Sequence, residues 1–320
     1  MKAALALLAA AAMAWAAQAS AQFPGRPVHL VVPYAAGGSA DQVARYLAEK
    51  LTERWKQPVV VDNKPGASGA IGVEAVIASP PDGHTLLLHA AAGLAIYQAV
   101  RRQPAFDTLR DLAPITAVVN SPLILVVNRS LPVDDVKGLL EYVRKNPGKV
   151  SYGSAGPGAM NHVGMELLKL RTGLEMVHVP YKGDAPVVVD LLNGTLTLSF
   201  LSSNLAIAQI KGGKMKGLAV STRNRSEAIP ELPTMAEAGF PDFDLKAWSG
   251  LLGPRAMPPD VVAKINAAVV EILNEPGTKR RMLESGFTVD PTTPEQFRDR
   301  IRGEIEMWRS VVTRAHIPLE

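Results

Sequence analysis

Short apolar runs alternate with longer segments of helical period in the first third of the chain. Val28–Val32 is typical of a strand, and apolar residues recur every four positions from Val43 to Leu51 on one face of a helix that ends near Trp55. The remaining elements of this series are predicted as a strand over 58–61, a short helix over 69–78 and a strand over 85–88. The order β-α-β-α-β indicates α/β layers with mainly parallel strands.

A second series of the same kind follows between residues 123 and 196. Its strands are predicted over 123–127 and near 150, 177 and 196, and its helices over 136–144, 159–170 and 184–192. Two amphipathic helices then follow, the first marked by apolar residues from Val261 to Ile272 and the second from Phe297 to Val312. No further strand series is expected after them.

Two series of strands predict two domains, which agrees with a length of 320 residues. No linker rich in proline, glycine or serine separates them, so strands and not a flexible tether are expected to join the domains. We place one crossing near Asn120 and a return crossing near Trp248. The prediction is a discontinuous lobe 1, comprising 22–120 plus 249–320, and a continuous lobe 2 over 121–248.

Residues 1–21 differ in composition from the rest of the chain. Lys2 is followed by an uncharged apolar stretch, Ala3–Ala17, and Ala19-Ser20-Ala21 supplies small residues where a signal peptidase reads. A membrane anchor is the alternative, but the stretch is short for a spanning helix and Gln22-Phe23-Pro24-Gly25 follows at once. We therefore predict a signal peptide that is cleaved after Ala21, and a mature chain that is exported and soluble.

Composition excludes several classes of protein. The chain has no cysteine, which removes disulfide scaffolds, thiolate metal sites and cysteine nucleophiles. Its formal net charge of +4 is spread thinly, since the longest basic run is Lys279-Arg280-Arg281. This distribution does not predict a nucleic-acid surface.

Glycine-rich junctions between strands and helices are candidate anion sites. In the junction over 33–41, free backbone N–H groups and the positive end of the helix dipole converge. The alternative is that Ser39-Ala40-Asp41-Gln42 is a capping box, in which Ser39 only caps the start of the helix. Similar junctions lie at 151–158 and 179–184, where Lys182 is either a cation for a ligand or a solvated charge. Ligands collect at the carboxyl ends of such strands, so one cleft with two anion-receptive sides is predicted.

The catalytic alternatives lack their residues. No two of the six histidines have the i, i+4 spacing of a helical metal pair, and His162 is expected either to touch a ligand or to lie on a helix surface. There is no G-x-S-x-G elbow, and Gly156-x-Gly158 lacks the third glycine of a dinucleotide site. We predict no metal, no cofactor, no catalytic set and no enzyme activity.

Six segments in a fixed order identify a family resemblance over Phe23 to Pro318. The chain resembles the Bug-type extracytoplasmic solute receptors, the substrate-binding proteins of tripartite tricarboxylate transport systems. The matching segments are 26–34 with 37–41, 58–67, 81–87, 178–183, 232–239 and 248–251. The resemblance implies a two-lobed periplasmic binding protein of the type II-like fold, each lobe a mainly parallel sheet flanked by helices. Such a protein traps a small organic carboxylate in the cleft by hinge closure.

The resemblance also implies partners and location. The expected partners are a small organic carboxylate and the cognate membrane permease subunits, or in some members a sensor kinase, with no nucleic acid. The protein is expected in the periplasm as a monomer. A purely signalling receptor and, less favoured, a periplasmic enzyme that uses the same cleft remain open alternatives.

The residues expected to bind the ligand follow from the family's loops, position by position. They are Tyr34, Ala35, Ala36, Gly37, Gly38, Ser39, Asp41, His89, Ala90, Ala91, Ser154, Ala155, Gly156, Gly158, Ala159, Met160, His162, Tyr181, Lys182, Gly183, Leu201 and Ser202. Two positions depart from the family, which often has Ser at Ala159 and Asp at Leu201. Loss of that acid is the basis for a hypothesis that the ligand has no α-amino group and is a simple dicarboxylate or an aromatic carboxylate.

Overall fold

The computed structural model describes residues 23–181, 183–241, 243–315, 317 and 319. The predicted signal peptide and Lys182 lie outside the described residues. The strands of the described chain are β1 (Val28–Val32), β2 (Val59–Asn63), β3 (Thr85–Ala90), β4 (Leu112–Asn128), β5 (Ser151–Ser154), β6 (Val177–Pro180), β7 (Leu198–Ser202), β8 (Met215–Val220), β9 (Lys246–Pro254) and β10 (Thr288–Val289).

Helices alternate with these strands in both halves of the chain. They are α1 (Ser39–Trp55), α2 (Ala70–Ile77), α3 (Tyr97–Val100), α4 (Thr108–Asp111), α5 (Val136–Lys145), α6 (Met160–Thr172), α7 (Asp184–Asn193), α8 (Ser203–Lys211), α9 (Pro259–Asn274), α10 (Pro276–Glu284) and α11 (Pro294–Arg314). A 3₁₀ turn, Ala67–Gly69, precedes α2, and a π-helical turn, Ala92–Ile96, runs into α3. No helix of the described chain has both the length and the apolar character that crossing a bilayer needs.

The sheet has a parallel group at each end and antiparallel strands between them. β1 pairs in parallel with β2 and β3, and β5 pairs in parallel with β6 and β7. β4 and β9 connect the two groups: β9 runs antiparallel to β3 and to β4, and β4 runs antiparallel to β7 and β8. The path across the sheet is β2-β1-β3-β9-β4-β7-β5-β6. The predicted parallel groups are therefore present, and the strands that join them are antiparallel.

The long strand β4 changes partners along its length, which produces two halves. Residues from Leu112 to Pro122 pair with β9, whereas residues from Leu123 onward pair with β7 and β8. β10 also pairs with the first part of β4, at Val119 and Asn120. Each half of the molecule thus has its own part of the sheet, and β4 is continuous through both.

The last helix, α11, packs across both halves. Its buried face includes Phe297, Ile301 and Trp308, and it contacts β4, α3 and α6. The ring of Phe297 meets the indole of Trp248 edge-on, with 5.3 Å between ring centroids. Burial of such aromatic side chains contributes several kcal/mol, on the order of 2–3 each by area. This helix therefore supports the strand pair β4–β9 from behind.

Candidate ligand-binding cleft

The loop between β1 and α1 is held from behind by Asp41. Its Oδ2 accepts hydrogen bonds from the backbone N–H of Gly37 at 2.8 Å and from Arg45 Nε at 2.9 Å, and its Oδ1 accepts one from Asn63 Nδ2 at 2.9 Å. Burial alone would raise the pKa of Asp41, but the bonds from Arg45, Gly37 and Asn63 lower it overall. Asp41 is buried and fixes the loop; it does not line the cleft.

The capping box that was the alternative explanation of this junction is not formed at the start of α1. Gly38 is the N-cap residue, and no side chain caps this helix. The hydroxyl of Ser39 instead accepts a hydrogen bond from Asn204 Nδ2 at 2.8 Å. Because Asn204 belongs to α8, next to β7, this bond joins the two sides of the cleft.

The loop between β5 and α6 uses several of its own N–H groups. Ala155 N–H donates to Asn161 Oδ1 at 3.0 Å, and Gly158 N–H donates to His162 Nδ1 at 3.1 Å. His162 is 6% exposed and stacks on His178 at 4.1 Å between centroids, and burial lowers its pKa to about 4. His162 therefore shapes the loop from behind and does not line the cleft.

Helix geometry leaves other N–H groups for a ligand. The first four N–H groups of an α-helix have no acceptor within the helix. In α6, His162 N–H donates to Asn161 Oδ1 and Val163 N–H donates to Ala159 O, so those of Met160 and Asn161 remain. Both residues line the cleft, as do Ser39 and Ala40 at the start of α1. Two helix N-termini thus face one cavity from opposite sides.

The central cavity has a volume of about 380 Å³ and a largely apolar wall. Aromatic rings of Tyr34, Phe200, Trp248 and Phe287 contribute to this wall. Its polar lining residues are Ser39, Ser121, Asn161, Asp184, Ser202, Asn204 and Ser249. A second, outer cavity of about 410 Å³ shares Tyr34, Ala92, Ala155 and Ala159 with the first.

Ten of the residues predicted for the site line these cavities. In the central cavity they are Tyr34, Gly38, Ser39, Ala90, Ala155, Ala159, Met160 and Ser202, and the outer cavity adds Ala35 and Gly158. The predicted residues that line neither cavity are Ala36, Gly37, Asp41, His89, Ala91, Ser154, Gly156, His162, Tyr181, Gly183 and Leu201. The structure thus brings the glycine-rich junctions of both halves together at one cleft.

Some of the predicted residues that line neither cavity lie behind the cleft wall and form hydrogen bonds there. His89 is fully buried, and its Nδ1 lies 2.9 Å from the hydroxyl of Tyr34. Ser154 Oγ lies 2.6 Å from His178 Nε2, and the hydroxyl of Tyr181 donates to Asp190 at 2.5 Å. These contacts hold the backbone at the ends of β1, β5 and β6.

Leu201 faces away from the cleft. Phe200 and Ser202 line the central cavity, whereas Leu201 between them is 1% exposed and packs with Ile124 and Leu196. The cause is the alternation of side chains along a strand, which sends neighbouring residues to opposite faces. An acid at this position would not reach a ligand, so the structure removes the basis for expecting a ligand without an α-amino group.

The acid in the cleft is Asp184, which sequence reasoning passed over. It is the first residue of α7, and Asn161 Nδ2 donates to its Oδ1 at 2.8 Å. Burial raises its pKa, although the bond from Asn161 lowers it in part. The sequence feature that could have indicated Asp184 is its position directly after Gly183, at the third predicted junction between a strand and a helix. Phe287, Trp248 and Asn204 were also missed as cleft residues, because they come from segments with no glycine-rich junction.

A mixed α/β fold in two halves, with a cleft walled by loops of both, defines the class of two-lobed solute-binding receptors. Within that class the chain belongs to a specific family, since residues 43–317 match the family described as Tripartite tricarboxylate transporter family receptor. The predicted Bug-type resemblance and the two-lobed α/β binding-protein fold are both confirmed. The members of this family are receptors and not enzymes.

Similarity to individual proteins of known sequence or known structure supports this family assignment. The chain is 36% identical to Protein BugT of Bordetella pertussis over 91% of this chain and 89% of that protein. An R. palustris protein solved with adipate has a TM-score of 0.84 at 33% identity, covering 93% of this chain and 99% of that one. MatC from Rhodopseudomonas palustris, solved with bound malate, has a TM-score of 0.78 at 29% identity, covering 91% and 100%.

Proposed function

We propose that this protein is a periplasmic receptor that captures a small organic carboxylate and delivers it to the permease of a tripartite tricarboxylate transport system. The observation that carries the proposal is the pair of helix N-termini, of α1 and α6, that face one apolar cavity from opposite sides. Relatives of the same fold have been solved with adipate and with malate, which supports a carboxylate ligand.

In the proposed mechanism, the ligand is held between two lobes that close around it. Lobe 1 comprises residues 22–120 plus 249–320, and lobe 2 comprises 121–248. These boundaries fall within β4 and β9, so both crossings are strands that can bend as a hinge. A ligand stabilises the closed form only to the extent that it binds that form better than the open one. Contacts from both lobes to one carboxylate meet this condition.

The proposed N-terminal signal peptide, cleaved after Ala21, would place the protein in the periplasm, where we propose that it is a monomer. The test is expression of the full chain in a bacterium, followed by fractionation and N-terminal sequencing of the product. We expect a periplasmic protein that begins at Gln22. Recovery of the uncleaved chain in the cytoplasm would overturn this part of the proposal.

Identification of the ligand tests the proposal as a whole. Small molecules released from freshly purified, denatured protein are identified by mass spectrometry, and a panel of carboxylates is then tested by calorimetry and thermal shift. A true ligand at about 100 times its Kd stabilises the folded state by roughly 2.7 kcal/mol. If no carboxylate of a broad panel binds, the substrate class is wrong. Chemical turnover of a bound carboxylate would instead show an enzyme.

A matched pair of variants tests whether the cleft is the binding site. Ala159 lines both cavities, so Ala159→Phe fills the cleft and is expected to abolish binding. Ala263 lies on the exposed face of α9, and Ala263→Phe adds the same bulk outside the cleft. Equal loss of binding in both variants, or loss in neither, would contradict the assignment.

A further inference from the structure

The charge of the central cavity is opposite to what a carboxylate needs. Asp184 is the one charged side chain among the described residues that line it. A ligand that presented only carboxylates on this side would meet a like charge at short range, which disfavours binding. The residue therefore requires an explanation beyond the capture of an anion.

The hydrogen bonds around Asn161 fix how the Asp184 carboxyl is presented. Asn161 Oδ1 accepts from the N–H groups of Ala155 at 3.0 Å and of His162 at 3.1 Å. These two donors settle the orientation of the Asn161 amide, so its Nδ2 is the group that meets Asp184 Oδ1 at 2.8 Å. The carboxyl of Asp184 therefore accepts a hydrogen bond through one of its two oxygens, Oδ1. Its other oxygen, Oδ2, has no hydrogen-bond partner among the described residues.

Asp184 is partly buried and its Oδ2 stays accessible in the cavity, so a ligand that fills the cavity without a donor leaves this oxygen without a hydrogen bond. Burial raises the pKa of Asp184, because desolvation disfavours its charged form. A hydrogen-bond donor on the ligand would supply the missing interaction, and a cationic donor would also balance the charge. Asp184 is thus suited to an N–H or O–H group of the ligand and unsuited to a second ionised carboxylate.

We propose that Asp184 selects carboxylates that carry an amine or hydroxyl group over otherwise identical carboxylates that carry no donor. This inference rests on the proposed function and names the substrate class of that site. One carboxylate of the ligand is bound between the N-termini of α1 and α6, as in the proposed function. The donor on the ligand points to Asp184 at the start of α7.

This selectivity arises because a ligand without a donor leaves the carboxyl of Asp184 without a hydrogen-bond partner. A site built to bind a hydroxyl or amine rejects the analogue that lacks it, because a buried acceptor then loses its partner. We therefore expect malate and aspartate to bind at least about tenfold more tightly than succinate, since hydrogen bonds to charged groups are the stronger class. The six-carbon pair of 2-aminoadipate and adipate tests the same contrast at a longer chain length.

The substitution Asp184→Asn gives a sharp test because Asn161 dictates how the new amide is turned. Asn161 Nδ2 can meet only the carbonyl oxygen of the introduced amide, so the new NH₂ group must face the cavity. The site then offers a donor where it offered an acceptor. We expect the order of affinity to invert, with succinate gaining and aspartate losing at least about tenfold.

The control is Glu141→Gln, which removes an exposed carboxylate on α5 and should leave every affinity unchanged. Circular dichroism and thermal melting of each variant establish that it is folded, and Asp184→Ser serves as a second variant that removes the charge. Equal binding of succinate, malate and aspartate to the wild type, or an unchanged order in Asp184→Asn, would overturn the inference while leaving a carboxylate receptor. Failure of every carboxylate to bind the wild type would overturn the proposed function as well.

Discussion

At the scale of single residues, two buried ionisable side chains give the stability of the fold opposite pH dependences. His89 is fully buried, and burial lowers its pKa to about 3, so stability falls as the pH drops below 6.5 and the unfolded chain takes up a proton. Glu304 on α11 is partly exposed as a residue, but its Oε2 is buried, and burial raises its pKa to about 7. Its contribution is complete below the unfolded pKa of 4.5 and is lost as the pH rises to about 7.

We predict that Glu304→Gln removes the second of these pH dependences. The amide oxygen still accepts the hydrogen bond that Trp248 Nε1 donates to Oε1 at 2.5 Å, so packing around the indole is retained. Between pH 4.5 and 8 the wild type should lose on the order of 3 kcal/mol of unfolding free energy through this group, and the variant should not. Urea denaturation at several pH values measures the difference. Glu306→Gln, exposed on the same helix, is the control, and parallel curves for Glu304→Gln and wild type would contradict the prediction.

The residues of the cleft divide into those a sequence can reveal and those it cannot. Gly38, Ser39 and Ala155 were predicted because a glycine-rich stretch between a strand and a helix is a local pattern. Phe287 and Trp248 reach the cleft only through the way distant segments are packed, so no local pattern marks them. The orientation of Leu201 was missed for a different reason: the register of β7 decides which of its side chains face the cavity.

At the scale of elements, β9 and α11 fit together through a glycine. A Cβ added to Gly250 would lie 2.1 Å from Cζ of Phe297, whose ring is fully buried. We predict that Gly250→Ala destabilises the protein by about 1–3 kcal/mol, because the ring must leave its packed position. In a Phe297→Leu background, where the ring is gone, the same substitution should cost less. Urea denaturation of the four proteins measures this coupling.

Gly303→Ala is the matched control for that prediction. Gly303 is exposed on α11 and a Cβ there would meet nothing within 4 Å. Replacement of glycine by alanine inside a helix should stabilise the protein by about 0.5–1 kcal/mol. Destabilisation at Gly250 that persists in full without the Phe297 ring would show that the close approach is not the cause.

Most elements of both halves could be predicted from sequence, and strands were expected to cross between the halves near Asn120 and Trp248, but the full extent of those strands was not predicted. Leu125 and its neighbours were recognised, whereas the first part of β4 contains Pro114 and Pro122, which oppose a central strand. The register of β4 shifts next to Pro114, so a bulge accommodates that proline. β9 was expected only as a crossing near Trp248, and its length was not predicted because Gly250 and Gly253 interrupt its apolar run. Both strands are buried in the middle of the sheet and lack the alternation that identifies a half-exposed strand.

At the scale of the whole molecule, a hydrogen bond between Asn204 and Ser39 joins the two sides of the cleft. Asn204 Nδ2 of α8 donates to Ser39 Oγ of α1 at 2.8 Å, and Asn204 Oδ1 is buried with no recorded partner among the described residues. The two residues belong to different proposed lobes. Because hinge opening would separate them, this bond contributes to the closed form and not to the open one.

We predict that Ser39→Ala and Asn204→Ala each weaken the binding of the receptor's carboxylate by about two- to tenfold, which is the net value of one such bond. Either substitution breaks the same bond, so the double variant should bind about as weakly as either single variant. Small-angle scattering without ligand should show a larger radius of gyration for all three. The control is Asn193→Ala, whose Nδ2 donates to Asp190 within one half, and it should change neither quantity. Additive losses in the double variant would contradict the prediction, because they would mean that Ser39 and Asn204 act on the ligand separately and not through each other.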